Sequence, residues 1–357
     1  MQHWLVRSLL SISLAIAAWL WMIPIPMAIA NPVQTEHVEV QLVSEVQQAQ
    51  PGSPFLVALR FQIQDGWHIY WKNPGDSGAS PTIDWQLPEG VTAGEILWPA
   101  PERLPVGPLM NFGYSGEVYL PIQLTPTSTL PSPDTLQLQA DADWLVCKVD
   151  CIPESATLDL MLSIQETASP DPQWQPALEA TQQALPQPSP WPVTAAISFA
   201  SAQGAIADNT VKLRVEAPGL EPGTLQSVTF FPNQDGVIVN AAPQTLTVDD
   251  QGLTLAVPQG YLTDLEEVGG VLVLKEALAS GEVTRAVEVA APVSDALPAP
   301  SQDSGGLSLW QVMGLAFLGG LVLNLMPCVF PVLSLKALSI VQKAEKSPRQ
   351  VKLQAIA

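Results

Sequence analysis

Phe55-Leu-Val-Ala-Leu-Arg-Phe-Gln-Ile63 places an apolar side chain at every second position, from Phe55 through Val57, Leu59 and Phe61 to Ile63. A period of two marks a strand with one buried face. Leu158, Leu160, Leu162 and Ile164 repeat the pattern, and residues 38–42, 119–124 and 136–138 are shorter candidates. Turn signals at Asn73-Pro-Gly75 and Pro88-Glu-Gly90 separate them. The expected architecture over residues 31–168 is an antiparallel β-sandwich.

Residues 169–192 carry prolines at 170, 172, 176, 186, 188, 190 and 192, and read as a linker with a short helix over 177–184. A second strand series follows at 211–215, 237–239, 253–257, 271–274 and 283–289, which predicts a second sandwich over 193–291. Residues 292–306 read as a flexible tether.

Both ends of the chain carry membrane signals. His3 and Arg7 precede an apolar run over residues 9–21, and Ala28 and Ala30 fit a signal-peptidase site, so residues 1–30 read as a signal peptide. No charged residue occurs from Gly305 to Leu335, a length that exceeds the roughly 30 Å hydrocarbon core at about 1.5 Å per helical residue. Residues 307–335 are therefore expected to form a transmembrane helix, with Trp310 at the interface. Lys336, Lys343, Lys346, Arg349 and Lys352 follow it directly, which orients residues 336–357 as a basic cytoplasmic loop and residues 31–306 as extracytoplasmic.

The formal net charge of −20 argues against nucleic-acid binding and for a solvated surface. Neither a phosphate-binding glycine loop nor a cluster at metal spacing is present, so neither cofactor nor metal is expected.

The chain has three cysteines. Cys147 and Cys151 lie in Trp144-Leu-Val-Cys-Lys-Val-Asp-Cys-Ile-Pro-Glu154, in a region expected to be exported and oxidising. Spacing alone leaves a structural disulfide and a redox-active pair equally open. Cys328 lies between Pro327 and Pro331 and four residues after Asn324, inside the expected span. Two prolines and an asparagine at that depth require protein or a cavity around them, which favours a working thiol over simple packing.

Asn324-Leu-Met-Pro-Cys-Val-Phe-Pro-Val-Leu333 resembles the first transmembrane helix of the DsbD/ScsB group of thiol:disulfide interchange proteins. Gly66-Trp-His-Ile-Tyr-Trp-Lys-Asn-Pro-Gly-Asp-Ser-Gly78, Phe112-Gly-Tyr-Ser-Gly-Glu-Val118 and the cysteine pair with its Ile-Pro-Glu are similar to the N-terminal region of ScsB-type members. The resemblance implies a mainly β chain of two immunoglobulin-like sandwich domains followed by a transmembrane α-helix. It implies a protein-disulfide reductase in which cytoplasmic thioredoxin reduces a membrane cysteine pair, and the electrons pass to extracytoplasmic thiol proteins. Disulfide isomerases, apocytochrome thiols or metal-resistance proteins are the implied recipients. Cys147 and Cys151 would then be the exchange pair, Cys151 meeting the partner and Cys147 resolving the mixed disulfide, with Cys328 the first member of the membrane pair. The family's second membrane cysteine and C-terminal Cys-x-x-Cys domain are not in this sequence, so the chain reads as part of a longer protein.

Trp67, Tyr70 and Trp71 read as packing on a sheet. The resemblance makes Phe112 and Tyr114 candidates for a loop that shields the thiols. His68 reads as a structural polar residue, with a soft-metal pair of His68 and Met110 as the weaker alternative. Two other function classes stand beside the oxidoreductase: a membrane-anchored binding module with a structural disulfide, and a copper-handling extracytoplasmic protein.

Overall fold

The computed structural model describes residues 31–129, 135–198, 209–218, 223–278 and 281–294, together with 297, 313 and 316–318. The expected signal peptide, Cys328 and the basic loop lie outside the described residues. So does the expected span, apart from residues 313 and 316–318, which are helical. Among the described residues no helix is long and apolar enough to cross a membrane.

The first domain consists of β1 (Val33–Gln34), β2 (Val38–Ser44), β3 (Val46–Ala49), β4 (Phe55–Ile63), β5 (Ile69–Gly75), β6 (Thr82–Gln86), β7 (Val91–Ile96), β8 (Glu102–Val106), β9 (Leu109–Tyr114), β10 (Glu117–Pro126), β11 (Thr135–Cys147) and β12 (Cys151–Ile164). Then come β13 (Ser169–Pro170), α1 (Gln175–Ala184) and β14 (Gln187–Pro188). Two five-stranded sheets, β1-β2-β4-β10-β7 and β13-β3-β12-β11-β6, form the sandwich, and a three-stranded sheet β5-β9-β8 stands beside them. The alternating side chains Val57, Leu59 and Phe61 of β4 meet Leu138, Trp144 and Leu160 of the other sheet in one core.

The other face of β4 explains why its sequence is apolar at intermediate positions as well. Leu56 and Ala58 point away from the sandwich core and pack with Val43 and Leu178, the one fully buried side chain of α1. Residues 169–192 thus lie on the domains they join: β13 pairs with β3, α1 covers the back of the first sheet, and β14 pairs with Val287 and Glu288 of the second domain. Pro176 sits in the first turn of α1, where no backbone donor is lost.

The second domain comprises β15 (Val193–Ser198), β16 (Thr210–Val215), β17 (Leu225–Pro232), β18 (Thr245–Asp249), β19 (Gly252–Pro258), β20 (Glu267–Leu278) and β21 (Gly281–Ser294). Its sheet path runs β17-β20-β21-β15-β16-β19-β18. β21 pairs with β20 over its length and with β15 only at Val293 and Ser294, so the path divides there into two halves that enclose a common core. Strand pairing therefore continues to Ser294, inside the stretch expected as tether. The expected strand over 237–239 is not formed. Val237 and Ile238 are buried, but a turn at Gly236 and another closed by Ala242 donating to Val239 leave only one bridge, between Ile238 and Gln259.

Consecutive residues of β17 serve different cores. Phe230 points into the second domain's own core, while Phe231 enters the core of the first. In β20, Leu272 and Leu274 face inward and Val271 and Val273 face the first domain. Both faces of this sheet half are covered, so Val271-Leu-Val-Leu274 is continuously apolar rather than alternating.

Because Leu178 alone buries α1 in an apolar contact, Leu178→Ala is expected to cost about 2–4 kcal/mol in a denaturant titration. It should also expose residues 171–186 to protease before the domains unfold. A loss below about 1 kcal/mol would mean that the helix does not cover β4 in solution.

Candidate functional site

β11 and β12 form a hairpin of thirteen consecutive residue pairs that ends at Cys147 opposite Cys151. Along β11 the even positions from Leu136 to Val146 fill the sandwich core, so Cys147 emerges on the opposite face, and register places Cys151 beside it. The two form a disulfide with Cα atoms 4.2 Å apart. That separation suits a cross-strand pair that shares no backbone hydrogen bonds. Cys147 exchanges both of its backbone bonds with His68 instead, each at 2.9 Å. The two residues are unequally placed: Cys147 is 2% exposed, whereas Cys151 is an exposed residue at the start of β12. Between them the turn Lys148-Val149-Asp150 presents Val149 at 82% exposure.

A buried polar chain leads to the disulfide from β5 and β9. The Tyr70 hydroxyl lies 3.3 Å from Cys151 Sγ. Asn111 Nδ2 donates to the Tyr70 oxygen at 3.3 Å and lies 3.4 Å from His68 Nε2, and Ser77 Oγ donates to Asn111 Oδ1 at 2.9 Å. Burial pushes the Tyr70 phenol above its ordinary value, with the Ser77 hydrogen bond opposing it, so Tyr70 keeps its proton at neutral pH. Burial likewise pushes the His68 imidazole down. The ring of Tyr70 is roofed by backbone: at Gly78, with φ of 96°, a Cβ would overlap the phenol. Gly113 is required for a similar reason, since a Cβ there would meet the Ile69 carbonyl on the paired strand.

Glu154, which ends the Ile-Pro-Glu run, braces the other side of the hairpin. Its carboxylate accepts from the Thr35 hydroxyl and from the His37 backbone N–H at 3.1 Å, and His37 Nδ1 lies 2.9 Å away. The His37 ring lies tilted against Trp67 with centroids 3.8 Å apart, joining the chain before β2 to the turn before β5.

Residues 38–163 match the family model described as thiol:disulfide interchange protein DsbD, N-terminal. The chain carries a DsbD-type N-terminal domain. The crystal structure of the N-terminal periplasmic domain of ScsB from Proteus mirabilis has a similar fold, with a TM-score of 0.51 at 17% identity over 73% of this chain and 97% of that one. That coverage takes the shared fold beyond the matched residues into the second domain. The periplasmic chaperone SfaE and the sporulation control protein Spo0M from Bacillus subtilis align at 11% and 9% identity, over 69% and 72% of this chain and 98% and 91% of theirs. Their TM-scores are both 0.20, and they carry no argument. No curated sequence matches the chain. The resemblance to the DsbD/ScsB group is borne out for the motifs between Gly66 and Glu154, while the motif over 324–333 lies outside the described residues.

Within the DsbD-type domain, Phe112 is fully buried and meets Phe231 edge-to-face with centroids 5.1 Å apart, and Tyr114 donates its hydroxyl to the Pro99 carbonyl. The aromatic side chain that reaches a sulfur is Tyr70, which sequence reasoning assigned to packing. Its membership of the Gly66 to Gly78 motif was visible, but an aromatic on a strand gives no sign of which end its hydroxyl meets. His68 is buried with its ring nitrogen beside Asn111, and Met110 donates its backbone N–H to Asp76. Among the described residues no group of three His, Cys, Asp or Glu side chains is placed to hold a metal ion.

The buried His68 sets a pH dependence whose sign follows from its lowered pKa. Below the ordinary value of 6.5 the unfolded chain takes up a proton that the native imidazole refuses, so stability falls as pH drops toward the lower native value. Thermal melts should show wild-type Tm falling more steeply than that of His68→Gln between about pH 6.5 and 5, with parallel curves above about pH 7. Parallel curves throughout that range would mean that the native site accepts the proton freely.

Proposed function

We propose that this chain is a thiol:disulfide oxidoreductase whose exchange pair is Cys147 and Cys151. The observation that carries the reading is the asymmetry of the pair: an exposed Cys151 with a hydroxyl at its sulfur, and a buried Cys147 directly across the hairpin. A partner sulfur can reach Cys151, while Cys147 is held where it can act only on Cys151.

In the reduced protein the Cys151 thiolate attacks one sulfur of a partner disulfide. That S–S bond breaks, a partner thiolate leaves, and a mixed disulfide forms. The Cys147 thiolate then attacks Cys151 Sγ, regenerating the internal disulfide and releasing the second partner thiolate. Two electrons pass to the partner, and the two protons lost by the cysteine thiols are matched by two gained by its thiolates. The reverse sequence recharges the pair. Tyr70, a phenol that is protonated at neutral pH even at its ordinary value and more firmly so when buried, donates to the sulfur as charge develops there.

The domain family supports extracytoplasmic thiol proteins as partners. The apolar stretch around Cys328 and the basic residues after it support a membrane anchor with a cytoplasmic end, through which cytoplasmic thioredoxin recharges the pair. A purely structural disulfide would not need the exposure difference or the hydroxyl.

Two experiments test these steps. Equilibration with glutathione buffers should place the pair well above about −300 mV, the range below which structural disulfides lie. Cys147→Ser should accumulate mixed disulfides through Cys151 on non-reducing gels, and trapping only by Cys151→Ser would reverse the roles. For the relay, Cys328→Ala in the complete membrane protein should leave export intact and lock the Cys147–Cys151 pair oxidised in growing cells. A pair that stays reduced without Cys328 would remove that cysteine from the route.

A further inference from the structure

The sheet β5-β9-β8 lies between the exchange pair and the second domain, and its two faces do different things. Period two sends Trp71 and Phe112 to one face, where both rings meet Phe231 edge-to-face, with centroids 6.3 and 5.1 Å apart. The same period sends Tyr70 and Asn111, neighbours in sequence to those two rings, to the face that meets Cys151 and His68. Polar contacts pin the same strands from the second domain. Asn73 in β5 donates to the Pro232 carbonyl at 2.8 Å, next to Phe231, in a buried bond. Asn240 donates at 2.9 Å to Asp76, whose other carboxylate oxygen accepts the Met110 backbone N–H of β9 at 2.7 Å. Arg103 in β8 donates to the carbonyls of Asn240 and Ala242.

We infer that Phe231 of the second domain is a positioning residue for the exchange site, wedging between Trp71 and Phe112 so that β5 and β9 hold the Tyr70 hydroxyl at Cys151 Sγ. The second domain lacks cysteine and histidine and so has no thiol or imidazole of its own to offer the pair. It acts by fixing the backs of two strands whose fronts carry the polar chain. β5 is irregular, its pairing with β9 breaking between Tyr70 and Gly75, so a strand with few ladder bonds depends on what packs against it. The inference rests on the exchange reading in taking Cys151 as the reacting sulfur. It adds that the second domain sets that sulfur's reactivity.

The test is the pH profile of Cys151 alkylation by iodoacetamide in the reduced full-length chain, followed by mass spectrometry of the Cys151 peptide. A hydroxyl donating to a thiolate lowers its pKa, so Tyr70→Phe should move the alkylation midpoint upward, by about half a pH unit or more. Phe231→Ala should move it in the same direction, and Tyr70→Phe with Phe231→Ala should move it no further than Tyr70→Phe alone. Phe231→Leu, which keeps much of the apolar volume, gives a milder version of the same comparison if the alanine variant does not fold. A folded Phe231 variant with the wild-type midpoint overturns the inference, and so does a shift that adds in full to that of Tyr70→Phe. The midpoint is readable whether or not the pair equilibrates with glutathione. Loss of glutathione equilibration with the alkylation pattern intact would therefore count against the exchange reading and leave the positioning role standing.

Discussion

Everything at the site depends on the register of the β11–β12 hairpin. In an antiparallel ladder a slip of one residue turns every side chain to the other face. Here such a slip would expel Leu138, Trp144 and Val146 from the core and bring Asp141 and Asp143 into it. The apolar set therefore fixes the pairing over thirteen steps, and the last step puts Cys147 across from Cys151 with no contribution from the cysteines themselves. His68 then closes the free backbone edge of Cys147, which ties the start of β5 to the end of the hairpin. The aromatic motif after Gly66 is consequently delivered to the sulfurs by main-chain pairing, and the side chains of Tyr70 and Asn111 add the polar chemistry.

The second constraint is that β17 and β20 have no solvent face along their apolar run. Phe231, Val271 and Val273 belong to the first domain's core as much as any residue of that domain. Edge-to-face aromatic contacts of this kind contribute about 0.5–1.5 kcal/mol beyond their burial, and a buried amide such as Asn73 costs about 1–3 kcal/mol if its acceptor moves away. The joint between the domains is therefore specific in angle as well as adhesive. A hinge made of exposed polar contacts would not have sent Phe230 and Phe231 into different cores.

Sequence periodicity made β10 and β12 legible because a buried face alternates with a more exposed one, and it found β4 from its inward set although α1 covers part of the other face; in the second series every expected strand formed except the one over 237–239. It failed where burial is two-sided or pairing is broken. The three-stranded sheet β5-β9-β8 was not anticipated, since Ile69, Tyr70 and Trp71 are all buried and give no alternation to read. Phe230-Phe231 and Val271-Leu-Val-Leu274 carried the signal of a shared core, but an unbroken apolar run does not say which neighbour covers its second face. At the site, the cysteine pair stood out by rarity. Its placement across a three-residue turn follows from Leu136 and Leu162 being partners, a relation that only the fold supplies. Tyr70 was hidden by its residue type, because a packing phenol and one that meets a sulfur look alike in sequence.

The hairpin also explains how such a bond can open without loss of the domain. A disulfide stabilises chiefly by restricting the unfolded chain, and closing a loop as short as Cys147 to Cys151 is worth only about 2 kcal/mol on that account. The ladder, the core side chains of β11 and the Glu154 clasp on Thr35 and His37 hold both cysteines in place whether or not the sulfurs are joined. Reduction therefore removes a small restraint from a structure fixed by other means. The restraints on the strands that carry Tyr70 and Cys151 do not include the S–S bond itself. Had the pair closed a long loop between distant elements, its opening would have released the chain it was holding, and the site would have been lost with the bond.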